Sequence, residues 1–191
     1  MADSYSLLFS GDQVGLIVRG KKSHAHKPGV MEQHADCILS NGAPIGFFGE
    51  GNNGSSNSIG MGMQGEVYDF SELSKKRAGY VNQHKAKALG VVSTGLFIQV
   101  SGAEAAKFDK YWSDLAKSPG SFNFLGGNCS THASDSFIYA GILAGGIPGL
   151  DTPNNLYLQI CTEKKGKCTM LSGYFGFTAY GGGYLVLVET L

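Results

Sequence analysis

Short runs of apolar residues, separated by turn-forming residues, recur along most of the chain. Alternating or continuous apolar runs of this length predict β-strands. We expect strands at residues 5–9, 14–18, 34–39, 45–50, 67–70, 91–101 and 183–188. A further hairpin is expected over residues 156–170, because Cys161 and Cys168 flank a lysine-rich turn that contains a glycine. The pattern indicates a turn-rich sheet protein.

Two segments show the three- and four-residue spacing of apolar positions that is typical of helices. The first is residues 103–117, which end before a Ser-Pro-Gly stop signal. The second is residues 130–143, in which Ala133 and Phe137 share a face and Asn128 is suited to cap the start. With the strands, these helices indicate a sheet protein with a few helices. Irregular or polar segments are expected at residues 51–65 and 73–89.

The segments 34–39 and 45–50 are predicted to form one hairpin, because an Asn41-Gly42 dipeptide between them favours a tight turn. With the turn centred on residues 41–43, His34 and Glu50 fall opposite each other as cross-strand neighbours. A slip of one residue in this register would place the two side chains on opposite faces of the sheet.

Length and composition favour one domain spanning residues 1–191 and restrict the classes of partner. Acidic and basic residues balance at 15 each, which gives no support for binding to nucleic acid. No apolar run approaches the roughly 18 residues that cross a bilayer, and the N-terminus lacks a signal-peptide pattern. We therefore expect a protein made in the cytoplasm, without stable membrane insertion and without a cofactor.

Cys129 is the strongest chemical signal in the sequence. It follows Gly126-Gly127-Asn128 and directly precedes the second predicted helix. The unpaired backbone N–H groups and the positive dipole at a helix N-terminus lower a cysteine pKa and favour the reactive thiolate. The alternative is a cysteine that packs in the core as a small apolar residue. We expect Cys129 to be a nucleophile and not a core residue.

A thiolate nucleophile needs a base, and usually a third group that orients the base. We choose His34 as the base, because a strand holds it rigidly, and Glu50 or a nearby polar group as its orienting group. His132 competes for the role of base, although it lies on the same helix as Cys129 and also reads as a solvated helix residue. The backbone N–H of Cys129 is expected to stabilise an oxyanion, and Asn128 either adds a side-chain donor or serves only as the helix cap.

Two other groups of residues suggest weaker sites. His24 and His26 form an H-x-H pair that, with His34, has the residue types of a metal site, but the neighbouring lysines argue against one. No metal is therefore predicted. Cys161 and Cys168 would face each other across the predicted hairpin, where a disulfide is an alternative to the two reduced thiols that we expect.

The order of these elements resembles the circularly permuted NlpC-like branch of the papain-like cysteine hydrolases. In that branch a strand that begins with histidine precedes the cysteine helix. The segments that carry the resemblance are residues 34–39 (HADCIL), the strand and helix over 91–117, residues 122–133 (FNFLGGNCSTHA), 140–142 (AGI) and 153–157 (PNNLY). One departure is the Ala-Asp-Cys sequence after the histidine, where such proteins usually have hydrophobic residues.

The resemblance implies an α+β, papain-like fold in which an antiparallel sheet packs against the helix that bears Cys129. It also implies a cysteine amidase or endopeptidase, most directly one that cleaves peptide bonds of bacterial peptidoglycan. Several small members are antibacterial effectors of type VI secretion, so an immunity protein, a component of the secretion apparatus and action in a target-cell periplasm are expected. The alternatives are a protein-directed cysteine peptidase, a lipid acyltransferase, or a non-catalytic binding module on the same fold.

Overall fold

The computed structural model describes residues 3–29, 32–50, 63–123, 126–146 and 152–191. In these ranges the strands form one nine-stranded sheet in the order β1-β9-β8-β6-β2-β3-β4-β5-β7, and every neighbouring pair is antiparallel. The strands are β1 (Ser4–Leu8), β2 (Gln13–Arg19), β3 (His34–Ile38), β4 (Pro44–Glu50), β5 (Met63–Tyr68), β6 (Ser93–Gln99), β7 (Ser121–Phe122), β8 (Cys168–Tyr180) and β9 (Gly183–Thr190). The expected α+β class is confirmed, and the papain-like permutation stays a prediction.

Five α-helices accompany the sheet within the described residues. They are α1 (Phe70–Lys76), α2 (Gln83–Leu89), α3 (Gly102–Lys117), α4 (Cys129–Tyr139) and α5 (Pro153–Glu163). The two helices predicted from apolar spacing are confirmed as α3 and α4. A capping box fixes the start of α3, since Ser101 and Glu104 each bond to the other's backbone N–H. The irregular segment 73–89 contains most of α1, a 3-10 turn at Ala78–Tyr80 and α2.

The central strands are buried on both faces, so the protein has two apolar clusters. Alternation along β2 sends Leu16 and Val18 into one cluster and Ile17 into the other. The first cluster contains side chains of α3, α4 and α5, including Trp112 and Phe137. Helix α4 therefore lies against one face of the sheet, where it contacts β3 and β4.

The hairpin predicted over residues 156–170 is wrong. Helix α5 occupies its first half, and β8 begins only at Cys168. The helix is capped by Thr152, whose side chain accepts from the N–H of Asn155, and Pro153 occupies the first turn. Cys161 lies on the helix, and both it and Cys168 are free thiols, so the disulfide is also excluded in this structure.

The predicted register between β3 and β4 is wrong by two residues. Asp36 pairs with Gly46, and Ile38 pairs with Pro44. Position 34 therefore aligns with position 48 instead of position 50, because the turn lies closer to Ser40 than the Asn-Gly dipeptide suggested. Glu50 continues along β4 and pairs through its backbone with Gln64 of β5.

Candidate active site

Cys129 is the first residue of α4, and Asn128 is its N-cap. The Asn128 side-chain oxygen accepts from the backbone N–H of Ser130 at 2.9 Å and of Thr131 at 3.0 Å. This cap confirms the predicted start of the helix and places the thiol at the positive end of the helix dipole. Cys129 is only 7% exposed, so its sulfur lies where water is scarce.

His34, the first residue of β3, is brought to the Cys129 sulfur. Its ring stacks on Phe48 with 4.2 Å between ring centroids, and its side chain keeps 16% of its exposure. The pKa of the Cys129 thiol responds to the imidazole of His34 and to the backbone N–H of the next residue, Ala35. The base and nucleophile predicted from the sequence thus lie close enough to interact electrostatically.

Electrostatics favour an ion pair between these two side chains. Burial raises the pKa of the Cys129 thiol, but the charge and hydrogen bond of His34 and the N–H of Ala35 outweigh burial and lower that pKa below 9.0. Burial likewise disfavours the charged ring of His34, but the charges of Cys129 and Asp36 raise the pKa of His34 well above 6.5. A thiolate beside an imidazolium is the arrangement of an activated cysteine nucleophile.

Asp36 holds the position that Glu50 was predicted to fill. Its Oδ1 atom lies 3.0 Å from Nε2 of His34, and the carboxylate is fully buried. The contact has the distance of an ion pair but lacks the alignment of a hydrogen bond. The side chain of Glu50 lies outside the described residues.

Asp36 remains ionised because Arg19 supplies a second positive charge. The Nε atom of Arg19 donates to Oδ2 of Asp36 at 2.7 Å. Burial raises the pKa of Asp36, but the charges of Arg19 and His34 outweigh burial and lower that pKa below 3.8. Sequence reasoning missed both residues. The available signals were the His-x-Asp spacing, which places two side chains on one strand face, and a charged residue inside an apolar strand.

The other histidines that were weighed are held elsewhere. His132 packs on Phe47, with 4.1 Å between ring centroids, and its Nδ1 lies 3.0 Å from the hydroxyl of Tyr111. It is therefore a packed residue and not the solvated one that was the alternative to a base. His24 hydrogen bonds to Tyr157 at 2.8 Å, and His26 accepts from the backbone of Lys22. Within the described ranges, no group of three or more His, Cys, Asp or Glu residues could hold a metal ion.

A solved structure has a fold similar to that of this chain. The chain is similar to a solved structure titled as that of the type VI secretion system effector TseH, with 15% identity and a TM-score of 0.48, over 86% of this chain and 94% of that chain. No protein-family model and no curated protein matches. In the described part of the chain, no helix is long and apolar enough to cross a membrane. Function is therefore inferred from the site itself.

Proposed function

We propose that this protein is a cysteine hydrolase that cleaves amide bonds, with Cys129 as nucleophile, His34 as proton carrier and Asp36 as the group that orients His34. The observation that supports this proposal is the electrostatic interaction between the thiol at the start of α4 and an imidazole that is itself paired with a buried carboxylate. A purely structural cysteine gains nothing from such a pair, whereas acyl transfer requires it.

Each step of hydrolysis has a residue to perform it. The Cys129 thiolate attacks the amide carbon, and the backbone N–H of Cys129 at the helix start donates to the oxyanion that forms. The His34 imidazolium gives its proton to the leaving amine, the C–N bond breaks, and a thioester remains. Neutral His34 then accepts a proton from water, which attacks the thioester, releases the acid and restores the thiolate.

The proposed substrate is a peptide bond of bacterial peptidoglycan. This choice rests on the resemblance of residues 34–39 and 122–133 to permuted NlpC-like hydrolases. The same resemblance supports delivery as an antibacterial effector, with an immunity protein that protects the producing cell.

The test uses purified protein, isolated peptidoglycan and mass spectrometry of the released fragments. We expect new amine and carboxyl ends with the unmodified protein and with Cys161→Ala, a control that removes a half-buried thiol from α5. Cys129→Ala and His34→Ala should release none. Cleavage by Cys129→Ala would overturn the mechanism.

The same samples separate the alternatives. Cleavage of a protein substrate or acyl transfer from a lipid, with intact peptidoglycan, would keep the nucleophile and replace the substrate. A binding module would leave every substrate intact, and its Cys129 would react with a thiol reagent no faster than Cys161.

A further inference from the structure

Arg19 is buried in the sheet beside the proposed active site. It is the last residue of β2, and its backbone pairs with His34 on one side and with Ser93 of β6 on the other. Only 2% of the residue is exposed. Because a buried guanidinium is costly unless it is paired and hydrogen-bonded, its partners are informative.

Three contacts fix the orientation of this guanidinium. Besides the 2.7 Å bond from Nε to Oδ2 of Asp36, one terminal nitrogen donates to the carbonyl of Tyr80 at 3.0 Å, and the other lies 3.5 Å from the hydroxyl of Ser93. The Tyr80 ring also lies against it, with 4.5 Å from Cζ to the ring centroid. The two oxygens of Asp36 are thereby divided, since Oδ2 faces Arg19 and Oδ1 faces His34.

The charges in this part of the protein alternate in sign. Arg19 is positive and Asp36 is negative, while the raised pKa of His34 favours the imidazolium and the lowered pKa of Cys129 favours the thiolate. Two further titratable groups lie beside them: the Tyr80 ring packs against Arg19 and His34, and Cys37 is neutral because burial and Asp36 raise its pKa well above 9.0. Removal of the Arg19 charge would leave the buried Asp36 carboxylate paired with the His34 imidazolium. That imidazolium is also the group that activates the Cys129 thiol.

We propose that Arg19 is a positioning residue of the Cys129 site, which keeps Asp36 ionised and directed at His34 and so maintains the thiolate–imidazolium pair. This role rests on the proposed function in one respect, that Cys129 is the nucleophile. Without Arg19, burial favours a protonated Asp36. A neutral carboxyl no longer stabilises the charged ring, and the thiol keeps its proton to higher pH.

The test measures the pH at which alkylation of Cys129 is half-maximal, by mass spectrometry of the labelled peptide, and needs no substrate. Arg19→Gln should raise this midpoint by about one pH unit or more, whereas Arg19→Lys, which keeps the charge, should leave it within about 0.3 units of the wild-type value. Arg77→Gln is the matched control, because it removes the same charge from an exposed arginine near the site. The Cζ atom of Arg77 lies 6.0 Å from the centroid of the Phe48 ring. The midpoint of Arg77→Gln should equal that of the unmodified protein.

A folded Arg19→Gln protein with an unchanged midpoint would overturn the role of Arg19. If Arg19→Gln fails to fold, Arg19→Lys decides: a midpoint near the wild-type value supports the role, and a rise of about one unit overturns it. These outcomes differ from failure of the proposed function. A lowered wild-type midpoint that does not respond to Arg19 contradicts only the positioning role, whereas an ordinary thiol midpoint in the unmodified protein contradicts both.

Discussion

His34 and Asp36 face each other along a single strand, with 3.0 Å between Nε2 and Oδ1. Residues two apart in a β-strand project from the same face, so the backbone of β3 alone sets this contact. The same strand contributes the N–H of Ala35, which helps to lower the pKa of Cys129. Five residues of β3 thus hold the proposed base, its orienting group and a donor to the nucleophile.

Substitution of Asp36 should therefore harm the site far more than substitution of Glu50. Asp36→Asn removes the charge that stabilises the His34 imidazolium, and we expect hydrolysis to fall by about 10²-fold or more. Glu50→Gln, the matched control, should hydrolyse substrate at the wild-type rate. The measurement is kcat/KM on the substrate proposed above. A larger loss in Glu50→Gln than in Asp36→Asn would restore the assignment made from the sequence.

Acid should destabilise the protein through the same carboxylate. The folded-state pKa of Asp36 lies below its ordinary value of 3.8, because the charges of Arg19 and His34 outweigh the effect of burial. Its contribution to the free energy of unfolding is thus fully present above pH 3.8 and is lost as the pH falls through the lower folded pKa. Urea unfolding from pH 2 to 6 should show this loss in the unmodified protein.

Asp36→Asn provides the comparison for that titration. The variant leaves Arg19 buried without its carboxylate, so we expect it to be less stable at pH 6 by about 3–5 kcal/mol. It should also lose less stability on acidification, because it lacks the titrating group. Parallel acid curves for the two proteins would contradict the assignment of this pH dependence to Asp36.

The elements that the sequence predicted well are those whose signals are local. Helix α4 and its Asn128 cap follow from a side-chain acceptor and an apolar spacing that need no distant partner. Helix α5 was missed because Cys161 and Cys168 around a Lys-Lys-Gly turn resemble a hairpin, whereas Leu156, Tyr157 and Ile160 have the spacing of one buried helical face.

The candidate site shows the same difference. Residues with a local sequence signal could be proposed, and residues whose neighbours are set by distant contacts could not. Cys129 and His34 could be proposed from the sequence because each stands at the start of a recognisable element. Glu50 was chosen from a hairpin register, and an error of two residues there changed the expected neighbour. The role of Arg19 could not be predicted from the sequence, because its pairing with Asp36 depends on which strand lies beside β3 in the sheet.

The reactivity of Cys129 should extend to lower pH than that of an ordinary thiol. Its pKa is lowered below 9.0 by His34 and Ala35 despite burial, so alkylation should rise as the pH passes this lowered value. Hydrolysis also needs protonated His34 and should fall again as the pH exceeds the raised pKa of that ring, well above 6.5. Cys37 should stay unlabelled throughout, because it is fully buried and its pKa is raised. Equal labelling of the two thiols would contradict the activation of Cys129.

Asn128 should contribute to stability through the helix cap. Asn128→Ala removes the acceptor for the N–H groups of Ser130 and Thr131, and we expect a cost of about 1 kcal/mol in the free energy of unfolding. Asn128→Ser keeps a capping oxygen and should retain both stability and activity. If Asn128→Ser folds normally but loses hydrolysis, the side-chain amide donates to the oxyanion, as the sequence had left open.

A methyl group at Gly46 should disturb the orienting carboxylate from outside the site. Gly46 pairs with Asp36 across β3 and β4, and a Cβ atom there would overlap Oδ1 of Asp36 and lie 3.0 Å from the Phe48 ring. Gly46→Ala must therefore displace the oxygen that faces His34, and we expect hydrolysis to fall by about tenfold or more. The matched control is Gly102→Ala, because a Cβ at this first residue of α3 meets no atom within 4 Å. If a folded Gly46→Ala protein hydrolyses substrate at the wild-type rate, the position of Oδ1 of Asp36 does not control the action of His34 as a base.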